Sequence, residues 1–72
     1  MKKQTILTRE LSSSAIAKAT YERDTFTLII TFRSGKDYAY PDVPEATYRG
    51  LVRASSAGRY FNKRIRDQYS LA

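Results

Sequence analysis

The hydrophobic pattern of this chain changes period once. Up to Asp42, apolar and polar residues alternate with the period of two that a strand imposes; from Val43 onward they recur at close to 3.6 residues. Strands placed first and helices second predict an α+β layer fold, an antiparallel meander followed by two short helices. With 72 residues there is room for one hydrophobic core. The expected organisation is a single domain over 13–72, preceded by an arm or extra strand over 1–12.

The Ser12-Ser13-Ser14 run reads as a turn, followed by a strand from Ala15 to Tyr21 and a tight turn at Glu22-Arg23-Asp24. The strongest strand runs from Thr25 to Arg33 and places Phe26, Leu28, Ile30 and Phe32 on one face, expected to be core. Ser34-Gly35 closes a hairpin into Lys36 to Tyr40, glycine supplying the positive φ of a tight turn. This is a three-stranded antiparallel meander, with a fourth strand or arm from Gln4 to Thr8. Pro44 fits the first residue of a helix, where no N–H partner is needed, and Glu45 suits its first turn. That helix runs to about Ala54 on a stripe of Val43, Thr47, Leu51 and Ala54, with Tyr48 and Val52 flanking. Ser55-Ser56 caps a second helix with Phe61, Ile65 and Tyr69 on one side and Arg59, Lys63 and Arg66 on another.

What the chain lacks narrows its chemistry. It has no cysteine and no histidine, which removes thiol nucleophiles, imidazole bases and the usual zinc ligand sets, so neither a catalytic residue nor a metal or cofactor site is expected. The carboxylates show no spacing that makes a pair converge, and a catalytic phenolate would need its pKa lowered by several units from about 10. Polar residues break the segment after Met1-Lys2-Lys3 before it becomes a signal peptide. The longest apolar stretch, Phe26 to Phe32, is far short of the roughly 20 residues that span a bilayer. A cytoplasmic protein is expected, and so small a core makes a homo-oligomer the natural staple.

The net charge of +6 points to a phosphate-bearing partner. From Val43 onward six cations face two carboxylates; before it the count is seven against five. Eight of the thirteen cations are arginine, whose planar fork suits phosphate. The candidate binding residues are Arg53, Arg59, Lys63 and Arg66 on the helices, Ser56 and Gly58 at the start of the second helix, and the tyrosines Tyr38, Tyr40 and Tyr60. Tyrosine rings on a strand stack on bases, whereas the same rings turned inward are core. Hairpin register decides between these, with one of Tyr38 and Tyr40 expected inside and the other exposed. Arg59 and Tyr40 are the positions where alanine is expected to abolish binding while leaving the fold intact.

In this order the residues resemble the KTSC domain family, named for its occurrence at the C-terminus of some lysyl-tRNA synthetases. The resemblance rests on Phe32-x-x-Gly35, Tyr38-Ala39-Tyr40, Val43-Pro44, and Ser56-x-Gly58-x-Tyr60-Phe61-Asn62 followed by Ile65-Arg66, and covers roughly Ser13 to Tyr69. It implies the fold above and, for function, RNA binding. Free-standing members occur in bacteria and their phages, and this chain is expected to be one of them. Three readings are open. The first is a protein that holds a small phosphate-bearing nucleotide without chemistry, such as a phage protein sequestering a cyclic or ADP-ribose-like immune signal in the host cytoplasm. The second is an RNA-binding module using the basic helices and sheet tyrosines. The third is a protein-protein interaction module with no nucleotide ligand.

Overall fold

Four antiparallel strands, in the order β1-β2-β3-β4, form an open sheet in this computed structural model, which describes residues 5–69. The strands are β1 (Ile6–Glu10), β2 (Ile16–Glu22), β3 (Thr27–Phe32) and β4 (Asp37–Tyr40), followed by α1 (Glu45–Arg53), α2 (Ala57–Phe61) and a π-turn (Asn62–Arg66). The N-terminal segment is therefore a fourth strand, starting at Ile6; Gln4 lies outside the described residues.

Register fixes which side chains meet. Tyr21 pairs with Leu28 and Ala19 with Ile30 across β2 and β3, and Leu28 pairs with Tyr40 and Ile30 with Tyr38 across β3 and β4. Directly opposed residues share a face, so these side chains stand on the side that α1 and α2 cover. The core adds Ile16, Val43, Tyr48, Leu51, Phe61 and Ile65 to that face. Ile16 is three residues from Ala19 yet equally buried, because the register shifts by one between Ile16 and Lys18. Such a bulge turns an odd spacing onto one face. Thr20, Ile29, Thr31 and Ala39 stand on the other, open face, as a sheet covered on one side permits.

The expected core role of Phe26 is wrong. Glu22 pairs with Thr27, so 23–26 form the connecting loop, and Phe26 is 57% exposed with φ of 55°. Alternation continues by chance one step past the strand's true start. In this left-handed conformation the Phe26 carbonyl accepts the Val43 N–H at 2.8 Å, joining the loop to the entry of α1. The Tyr21 hydroxyl donates to the Val43 carbonyl at 2.5 Å, and its ring stacks on Tyr48 of α1 with centroids 5.6 Å apart. Pro44 is the residue before α1 rather than its first, with ψ of 150° still extended. The expected second helix is short: Ser56 caps α2 by accepting the Arg59 N–H at 3.3 Å, and the chain then widens into the π-turn.

Candidate functional site

Tyr40 is 5% exposed and Tyr38 37% exposed, although both project from the same face of β4. Tyr40 lies under the helical layer with its ring against Phe61, centroids 5.9 Å apart. Tyr38, one pair nearer the hairpin, extends past the cover and meets the edge of Phe32 at 5.3 Å; Phe32 in turn meets Phe61 at 5.4 Å. This edge-to-face chain of rings forms one wall of a solvent-open groove of about 450 Å³. The other wall comes from Gly58, Asn62, Arg66 and Tyr69. Such a volume lies within the roughly 300–1,000 Å³ of small-molecule sites.

Burial raises the Tyr40 phenol's pKa above its ordinary value, with the neighbouring Tyr38 adding to the rise and the Arg66 charge opposing it. The phenol is thus a neutral hydroxyl at neutral pH, able to donate or accept a hydrogen bond but not to act as a phenolate. The groove offers ring faces, an amide at Asn62 that both donates and accepts, and one guanidinium. Among the described residues Arg66 makes no ion pair; the ion pairs there are Arg23–Glu45 and Arg49–Glu45.

The candidate residues do not all converge. Tyr38, Tyr40, Gly58 and Arg66 come together in the aromatic groove. Arg59, Lys63, Tyr60 and Ser56 meet instead in a shallower concavity of about 280 Å³ on the flank of α2, together with Arg64. Arg53 sits apart, in a third depression with Arg9, Arg49 and Tyr48. The π-turn explains the division. Its additional residue per turn rotates the later side chains about the axis, so Arg66 leaves the line of Arg59 and Lys63 and turns toward the rings. Tyr60 also has a packing role, since its phenol lies where a side chain at Gly50 of α1 would stand. Tyr40 likewise belongs to the core, so Tyr40→Ala is expected to cost packing against Phe61 as well as any binding.

Sequence reasoning passed over Asn62 as a groove residue. Gly58, Asn62 and Arg66 recur at i, i+4 and i+8, and that spacing was the available signal. It also passed over Arg9 of β1. Among the described residues no group of three or more acidic, cysteine or histidine side chains could hold a metal ion. No helix among them is long and apolar enough to cross a membrane.

Fold and groove together define a small α+β domain with a half-covered sheet and an aromatic cleft at its edge. The family model of the KTSC domain matches residues 12–69, and the chain belongs to that family. It is 41% identical over 56 residues to a lysine–tRNA ligase of Nostoc punctiforme; the match takes in 78% of this chain and about a tenth of the ligase. An uncharacterized protein of Stutzerimonas stutzeri is 34% identical over 59 residues, covering 82% of this chain and 83% of that one. Among solved structures, the crystal structure of a KTSC domain protein from Yersinia pestis superposes with a TM-score of 0.86 at 31% identity, covering 93% of this chain and 94% of that one.

Proposed function

We propose that the domain is a non-catalytic binding protein for a phosphate-bearing nucleotide, taken up in the aromatic groove. The observation that carries this reading is the meeting of the exposed Tyr38 ring, the Asn62 amide and the Arg66 guanidinium, which makes no ion pair among the described residues, around one cleft. A base stacks against Tyr38, its edge exchanges hydrogen bonds with Asn62, and the phosphate meets Arg66. The raised pKa of Tyr40 fits holding rather than chemistry. A free nucleotide signal, cyclic or ADP-ribose-like, is the ligand class in view, sequestered in the cytoplasm. Because the groove is open, its enclosure falls to a second copy of the chain.

RNA binding is the second reading, and one observation favours it. Arg59, Lys63 and Arg64 continue the positive charge beyond the groove along the flank of α2 and the π-turn, with Tyr60 between them. Thermal melting with a panel of nucleoside monophosphates, repeated across salt concentrations, separates the two. A nucleotide in the groove raises the melting temperature by mass action with modest salt dependence. An RNA held by several cations loses affinity linearly in log salt. No rise with any nucleotide and no RNA retention at low salt leaves the interaction module.

A further inference from the structure

A second groove, about 470 Å³, adjoins the aromatic one and shares Gly58 and Ala15 with it. Its chemistry is different. Five serines, 12–14 and 55–56, line it, and Arg9 of β1 stands at its side. Arg9 pairs with Ala19 on the helix-covered face, whereas Glu10, which also borders the groove, pairs with Lys18 and so points to the open face. Arg9 makes no ion pair among the described residues. The wall opposite the helices is held in place: Arg33 donates to the Leu11 and Ser13 carbonyls at 2.8 and 3.0 Å, and the Ser13 hydroxyl oxygen accepts the Ala15 and Ile16 N–H groups at 3.0 and 3.1 Å. With its oxygen occupied by those two donors, the Ser13 O–H is left to donate.

Gly58 marks the ridge between the grooves, and the fold does not require a glycine there. Its φ lies outside the left-handed region, and an added Cβ would meet only the Ser13 hydroxyl, at 3.9 Å. Glycine in a helix costs roughly 0.5–1 kcal/mol against alanine, so this position is less stable than packing alone would allow. Gly50 is the contrast, because Tyr60 occupies the space beside it.

Resting on the nucleotide reading above, we infer that the ligand has two units joined through phosphate: a base-bearing unit in the aromatic groove and a second sugar-bearing unit that crosses Gly58 into the serine groove, where Arg9 and the hydroxyls receive its oxygens. A dinucleotide and a nucleoside diphosphate sugar share this chemistry.

The test is calorimetric titration of the full chain with AMP, with the dinucleotide ApA and with ADP-ribose, the last two arms distinguishing the sources. At least one two-unit ligand is expected to bind about tenfold or more tighter than AMP, since its second contact is intramolecular. Arg9→Ala is expected to remove that advantage with AMP affinity unchanged. Gly58→Leu, which raises the ridge, is expected to remove it in a protein that still melts cooperatively. AMP binding with no gain for either two-unit ligand overturns the inference and leaves the nucleotide reading standing. A gain that survives in both Arg9→Ala and Gly58→Leu also overturns it. Failure of all three ligands to bind overturns the nucleotide reading and this inference with it.

Discussion

Arg23 and Glu45, twenty-two positions apart, meet in a two-point ion pair, Nε to Oε1 at 2.9 Å and Nη2 to Oε2 at 3.0 Å. Arg49, one turn further along α1, adds its own contacts to Oε2 at 2.7 and 3.0 Å. The carboxylate thereby ties the β2–β3 loop to the start of the helical layer. Hydrogen bonding from Arg23, aided by that from Arg49 and opposed by some desolvation, lowers the Glu45 pKa from its ordinary 4.5 to about 2.

A carboxylate whose folded pKa is depressed stabilises the fold fully above its unfolded pKa, and the contribution is lost as pH falls through the folded value. The melting temperature of the wild type is therefore predicted to exceed that of Glu45→Gln by a constant margin near neutral pH. The margin should close between about pH 4.5 and pH 2. Melting curves of both proteins across that window check this; a margin that persists at the acid end contradicts it.

The two strand tyrosines are predicted to part on truncation. Tyr40→Ala empties a core position against Phe61 and should cost about 3 kcal/mol, the scale of large-to-small core changes. Tyr38→Ala loses a half-exposed ring contact and should cost below about 1 kcal/mol while removing nucleotide binding. Chemical denaturation measures the first difference and titration the second.

Tyr21→Phe keeps the ring stacked on Tyr48 but leaves the Val43 carbonyl without its buried hydroxyl donor. A loss of about 1–2 kcal/mol is predicted, the cost of an unsatisfied buried acceptor. Equal denaturation midpoints for the two proteins would show that water replaces the phenol.

Gly58→Ala is predicted to stabilise the fold by about 0.5–1 kcal/mol, because the methyl group meets only the Ser13 hydroxyl, at an ordinary van der Waals distance, on a helix. Gly50→Ala forces the Tyr60 phenol off α1, so the same gain in helix propensity is offset by lost packing. Its melting temperature should stay below that of Gly58→Ala, and equality of the two would contradict the packing of Tyr60 over Gly50.

The order of strands and helices was legible because period and punctuation agree: alternation up to Asp42, glycine with φ of 95° at Gly35, proline at the entry of α1. Phe26 was misread because alternation does not mark where a strand begins, and only the pairing of Glu22 with Thr27 does. Half of the candidate site was legible too. Tyr38 and Arg66 were named from residue type, but a sequence stripe of Arg59, Lys63 and Arg66 assumes an unbroken α-helix, and the π-turn splits it. The Arg23–Glu45–Arg49 cluster needed tertiary structure to bring its members together. So did the place of Arg9 beside the serines, which depends on the β1–β2 register.

The most direct measurement is an amide and side-chain NMR titration of the chain with the four nucleoside 5′-monophosphates. Shift changes are predicted to centre on Tyr38, Gly58, Asn62, Arg66 and Tyr69, the residues around the aromatic groove. Changes centred on Arg59, Lys63 and Arg64 instead, or none at millimolar nucleotide, would contradict a nucleotide held in that groove.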